Sequence, residues 1–335
     1  MLAGHANRGR QQNSRSKAAV SIAEQKKMRV AVLGAGAVGC FFGGMLARTG
    51  HPVTLIGRAA HVEAFRAGGL HFEGLKFNEH IPVEASTQAA AVAGAQLVLF
   101  CVKSTDTESA AREIAPHLAA DAVVLNLQNG VDNTERIAAR VKQIVIPAAV
   151  YVATEMAGPG HLKHHGRGDL VIGSMAGAAD GPTAGALEAI RAAFEPAGVP
   201  VTVSDNVAGA LWGKLTVNCA YNAISAIGQM PYGRMIESVG VHQVMTDVVG
   251  EVLEVAGARG VRMAPDTLES VLRLAQAMAS QYSSTAQDLA RQRPTEIDHL
   301  NGYVARQGEA LGIAVPLNRA LHALVKLIEL RQSGK

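Results

Sequence analysis

The sequence predicts an α/β N-terminal domain of Rossmann-like type followed by an all-α C-terminal domain. Three observations carry this. Short apolar runs alternate with helical patterns as far as residue 204. A glycine loop, Gly34-Ala-Gly36-Ala-Val-Gly39, joins the first run to the first helix. From about Asp205 onward only helical periodicity remains.

Arg29 to Leu33 is a buried strand that stops in glycine, and Ala37 to Thr49 has helical spacing of small and apolar residues. Gly50-His51-Pro52 breaks that helix, and Val53 to Ile56 is a second strand. Strand, helix and strand with short connections make the unit of a parallel sheet. Gln96 to Val102 is a further buried strand, Asp106 to Leu118 a helix kinked or closed by Pro116, and Ala122 to Leu127 another strand. Ile144 to Thr154 and Leu170 to Gly173 are strand-like, flank a Gly/His-rich stretch, and predict an antiparallel extension of the sheet. Thr183 to Phe194 is helical and Val199 to Val203 is a last strand. Helices are expected over 206–228, 235–259, 265–290, 294–312 and 316–331, with Pro294 and Pro316 at helix starts. The expected organisation is therefore an extension over 1–27, an α/β domain over 28–204 and a helical domain over 205–335.

Composition bounds the function. The chain has 335 residues, 48% of them hydrophobic, which is enough for two cores. Much of the +3 charge lies in the first 27 residues, which read as a disordered extension. The remainder has no basic run of the kind that binds nucleic acid. No apolar run reaches the ~18 residues that span a bilayer. Cys40, Cys101 and Cys219 are far apart, with neither metal spacing nor an even count, so a reducing, cytoplasmic setting is expected. His161, His164 and His165 lie close together without a partnering acid or cysteine, and no metal site is expected there.

The glycine loop carries the cofactor reading. Gly34 permits a tight turn, Gly36 lets the backbone approach a pyrophosphate, and Gly39 lets helix and strand pack closely. The helix N-terminus adds free N–H groups for phosphates. The second strand ends Leu55-Ile56-Gly57-Arg58. It offers no carboxylate for a ribose 2′-hydroxyl, and Arg58 stands where a 2′-phosphate would lie, so NADP(H) is favoured over NAD(H). Lys103 and Asn129 follow the next two strands, at the strand ends that face a cofactor cleft.

The chemistry reading starts at Lys214, Asn218 and Asn222, which recur at i, i+4 and i+8 and share one helix face. Such a stripe is either a solvated face or the polar wall of a cleft. Arg293-Pro-Thr-Glu296 predicts a helix start with Glu296 in the first turn, and Ser284 lies twelve residues upstream of Glu296.

These motifs stand in the order GAGAVG, Arg58, CVKS, QNG, KLTVNCAYN, SSTAQD, TEIDHLNG and GIAVPLN. In this order, from Met28 to about Leu330, the chain resembles the ketopantoate reductase (2-dehydropantoate 2-reductase) family. The resemblance implies NADPH-dependent reduction of 2-dehydropantoate to (R)-pantoate in pantothenate and coenzyme A biosynthesis. It makes Lys214 the lysine that protonates the substrate carbonyl oxygen. Glu296 becomes the glutamate that binds the substrate hydroxyl and orients the lysine. Asn218 and Asn222 line the substrate site and Ser284 binds the carboxylate. Asn129 and Lys103 lie near the nicotinamide and its ribose. Gly34, Ala35, Gly36, Ala37, Val38, Gly39 and Arg58 form the cofactor site. Tyr232 and Gln281 depart from the family pattern, each standing where an asparagine is expected. Two other readings stay open: the same chemistry on another 2-oxo acid, and a non-catalytic NADP(H)-binding sensor. Apolar helical stripes over 240–290 suggest a homodimer through the helical half.

Overall fold

The computed structural model describes residues 27–334. The expected extension lies outside them except for Lys27, whose Nζ donates to the Thr49 carbonyl at 2.6 Å. The first half runs β1 (Val30–Leu33), α1 (Ala37–Arg48), β2 (Val53–Ile56), α2 (Ala59–Gly68), β3 (Leu70–Glu73), β4 (Asn78–Ile81), β5 (Glu84–Ser86) and β6 (Leu97–Phe100). It continues with α3 (Thr107–Ile114), β7 (Val123–Asn126), α4 (Asn133–Ala138), β8 (Ile144–Gly158), β9 (His161–Gly173), α5 (Gly181–Phe194) and β10 (Val201–Ser204). Helices alone follow: α6 (Val207–Gly228), α7 (Tyr232–Met235), α8 (Val241–Ala258), α9 (Thr267–Ala277), α10 (Ser284–Ala290), α11 (Asn301–Leu311) and α12 (Pro316–Gln332). A 3-10 turn, Ile297–His299, precedes α11.

Ten strands form one mixed sheet in the order β4-β3-β9-β8-β7-β6-β1-β2-β5, with β10 added against β9. From β8 to β5 all neighbours are parallel. β1 and β6 are buried along their whole length, as expected of strands covered on both faces. Phe41 and Phe42 of α1 and Phe194 of α5 fill one face, while Ala111 and Ile114 of α3 and Ile137 of α4 fill the other. The predicted antiparallel extension is the β8–β9 hairpin, but the Gly/His stretch is part of it and not a connection. Gly166 and Gly168 take positive φ there, and bulges interrupt the register. The histidines do not converge: His161 pairs with Glu73 and His165 with Glu155, while His164 bonds the Arg167 carbonyl.

The helical half is organised around α6. Asn206 caps it by accepting from the Gly209 amide at 3.2 Å. Trp212, Leu215 and Cys219 share one core with residues of α8 and α11, which reaches the sheet through Ala149 of β8. Trp212 is an apolar anchor, 6.0 Å edge-on from Tyr303. Three expected helices start or end elsewhere. The run over 265–290 is two helices, because Ser283, buried and in extended backbone, caps α10 by accepting from the Ala286 amide. The run from 294 becomes helical only at Asn301, leaving Glu296 in an irregular segment before the 3-10 turn. The run from 235 becomes helical only at Val241, after Gly240 at positive φ, and the short α7 ends at Met235 where that run is expected to begin. The apolar residues of α8 and α9 turn inward, and exposed leucines fall instead on α12, at Leu324, Leu327 and Leu330.

The glycine loop is fixed by close packing. A Cβ at Gly39 would overlap the Gly34 carbonyl oxygen and stand 2.7 Å from Val32 Cγ1, whereas a Cβ at Gly36 would meet nothing within 4 Å. Gly39→Ala is therefore expected to cost about 1–3 kcal/mol through overpacking. Thermal unfolding should show a Tm lowered by several degrees for Gly39→Ala and little change for Gly36→Ala.

Candidate active site

The site lies where the C-terminal ends of β1, β6 and β7 meet α6 and the segment from Asp288 to His299. The loop after β1 turns at Gly34, φ +101°, where any Cβ would stand 2.7 Å from the Cys101 carbonyl carbon. The Gly34 and Ala35 amides are tied to the Ile56 carbonyl at 3.0 and 2.9 Å. The first turn of α1, at Ala37, Val38 and Gly39, holds no acidic residue and has no side-chain cap. Its amides are thus left to an anion, and the open space at Gly36 is where a phosphate-bearing ligand can approach. Arg58 is exposed in extended backbone at the end of β2, directly before α2. These residues fit a dinucleotide.

Lys103, expected beside the nicotinamide, spans the two halves of the molecule. Its Nζ donates to Asp288 Oδ2 and to the Pro294 carbonyl, both at 2.8 Å. Burial raises the Asp288 pKa and the Lys103 ammonium works against that rise.

Glu296 stands against the end of β6. Its Oε1 accepts the Ser104 amide at 2.8 Å and its Oε2 accepts Asn129 Nδ2 at 3.4 Å. Glu296 lies outside a helix of its own and is held by these two donors, Ser104 being the first residue of the 3-10 turn that leads into α3.

Lys214 projects from α6 into the same region and is half-buried. Desolvation pulls its pKa down from 10.5 to about 8, with the Glu296 carboxylate pushing it up and the Arg167 guanidinium adding to the fall. No ion pair closes between Lys214 and Glu296 among the described residues; their charges act on each other across a gap. Asn218 is half-buried and Asn222 is buried on the same face. Asn222 Nδ2 donates to Ser284 Oγ at 3.4 Å, and its carbonyl accepts from Ser283 Oγ at 3.2 Å. The structure thus bonds Asn129 to Glu296 and Asn222 to Ser284, while Lys103 is held apart on Asp288 and the Pro294 carbonyl. An ammonium that can give up a proton near neutral pH, beside amides and a carboxylate, suits protonation of a carbonyl oxygen.

Tyr232 is directed elsewhere. Its ring packs 4.6 Å from Tyr221 in the helical core, and its amide donates to the Gln281 carbonyl at 2.9 Å. Sequence reasoning missed Asp288, Ser104, Asn133 and Arg136, which hold the predicted residues in place. Ser104 and Asp288 do stand inside the quoted motifs CVKS and SSTAQD, but nothing in their spacing shows that they meet Glu296 and Lys103.

Residues 30–177 match the family model described as ketopantoate reductase PanE/ApbA, and residues 206–329 match that of its C-terminal region. A 2-dehydropantoate 2-reductase of Pyrococcus horikoshii is 33% identical, over 90% of this chain and 98% of its own. The crystal structure of a PanE/ApbA family ketopantoate reductase from Ralstonia eutropha JMP134 is 56% identical, with a TM-score of 0.86 over 91% of this chain and all of that one. A ternary structure of D-mandelate dehydrogenase with NADH and anilino(oxo)acetate is 26% identical, with a TM-score of 0.85 over 91% of this chain and 100% of that one.

Lys103→Met leaves Asp288 and the Pro294 carbonyl without their donor. It is expected to lower the unfolding free energy by about 1–2 kcal/mol, discounted for the partial exposure of the pair. Urea unfolding of the two proteins measures this as a lower midpoint at equal slope.

Proposed function

The chain belongs to the ketopantoate reductase family, and on that premise we propose that it reduces 2-dehydropantoate to (R)-pantoate with NADPH. In this reading it is a cytoplasmic enzyme of pantothenate and coenzyme A biosynthesis. The observation that carries the reading is Lys214, whose pKa is lowered to about 8 at the seam between the glycine-loop domain and the helices. NADPH, when bound, supplies a hydride. Gly34 to Gly39 receive its pyrophosphate at the N-terminus of α1. Arg58 takes its 2′-phosphate, since the end of β2 carries no carboxylate. The Lys214 ammonium stabilises the negative charge that develops on the carbonyl oxygen and delivers its proton there. Glu296, held by Ser104 and Asn129, raises the lysine's affinity for that proton and accepts the substrate hydroxyl. Asn218 and Asn222 orient the oxo acid, and Ser284 binds its carboxylate.

Tyr232 lies in the helical core, which supports ketopantoate despite that departure. The likeness to D-mandelate dehydrogenase favours a second reading, in which the same chemistry serves another 2-oxo acid. Exposed leucines on α12 support a homodimer through the helical half.

A panel of 2-oxo acids assayed with NADPH and NADH side by side tests the function. NADPH with ketopantoate should give the highest kcat/KM, and Lys214→Ala should lower kcat by roughly 10²–10⁴-fold while keeping cofactor affinity. A higher kcat/KM on another acid selects the second reading. Cofactor binding with wild-type rates no better than Lys214→Ala on every acid rejects an enzyme. The pH profile has a defined sign. Lys214 loses its proton as pH rises through about 8, so the reduction rate should be level below that pH and fall above it. The reverse oxidation, which needs the free amine, should rise over the same interval.

A further inference from the structure

One partly buried network behind the site is used by no step above. Arg136, on α4, donates from Nη2 to the Ser104 carbonyl at 2.8 Å and from Nη1 to Asn133 Oδ1 at 2.7 Å. Its Nε and Nη2 fork onto Glu108 of α3 at 2.8 and 2.7 Å, and Nη1 lies 3.2 Å from His299 Nδ1. Asn133, in turn, donates to Ser104 Oγ at 3.0 Å and to the Asn129 carbonyl at 2.6 Å. Ser104 and Asn133 are buried, with 0% and 1% exposure. Ser104 and Asn129 are the two residues whose donors hold Glu296. The planar guanidinium therefore fixes the backbone on the far side of Ser104 from the amide that Glu296 uses. Through Asn133 it also fixes the Asn129 turn. The contact with His299 ties the same fork to the 3-10 turn that follows Glu296.

We infer that Arg136 is the positioning residue for Glu296, setting the carboxylate opposite Lys214 by holding the Ser104 and Asn129 donors rigid. The inference rests on the proposed reductase reading for its kinetic consequence. An anchor for folding alone would need only the ion pair with Glu108; the bonds to Ser104 and Asn133 go beyond it. Only a planar fork reaches four partners at once, and a lysine ammonium at this place keeps the charge but loses that geometry.

The test compares wild type, Arg136→Lys, Glu296→Gln and the double variant. Arg136→Lys should lose about 100-fold in kcat/KM for the oxo acid, as a misplaced catalytic group does. The double variant should be no slower than Glu296→Gln alone, because the arginine acts through the glutamate. Losses that multiply overturn the inference. Hydrogen exchange of the Ser104 amide, read without substrate, should quicken roughly tenfold in Arg136→Lys while Tm moves little. An unchanged Ser104 exchange overturns it as well. A wild type that turns over no 2-oxo acid, together with quickened Ser104 exchange, rejects the reductase reading and upholds the positioning role.

Discussion

The site depends on keeping a lysine charged where water is scarce. Lys214 sits between the sheet and the helical core, and desolvation there lowers its pKa to about 8. Without an opposing charge, burial would move it further and empty it of its proton. Glu296 supplies that charge from a distance and not by contact. A direct ion pair would hold the proton more tightly and occupy the carboxylate. The gap leaves the ammonium free for a substrate.

That constraint explains what surrounds it. Glu296 belongs to the helical half, yet its partners Ser104 and Asn129 lie on loops after β6 and β7. Lys103 reaches the other way, to Asp288 and Pro294. The two halves are thus sewn together along the seam that carries Lys214 and Glu296. The glycine loop lies at the next strand end, so one row of parallel strands presents both the anion site and the carboxylate's holders.

Much of this frame was legible in the sequence. Val30 to Leu33 running into Gly34 announces a buried strand and a nucleotide loop, because only glycine fits the contacts at Gly34 and Gly39. The helix of Lys214, Asn218 and Asn222 is continuous from Val207 to Gly228. Elements missed were short or polar: β4 is exposed at three of its four residues, and α4 has only six. Ser283 looked like any serine in a helical run, although its side chain starts a new helix. Glu296 was expected in a helical first turn, and tertiary bonds to Ser104 and Asn129 hold it outside one. The network through Arg136 joins residues 104, 129, 133 and 296, and no local pattern encodes a meeting of that range.

The coupling between Lys214 and Glu296 is electrostatic and can be read directly. In protein carrying isotope-labelled lysine, the Lys214 ammonium is followed by NMR as pH is raised, in wild type and in Glu296→Gln. Titration near pH 8 in wild type, moving lower in Glu296→Gln, is the predicted result. Titration near the ordinary 10.5 in both proteins would contradict it.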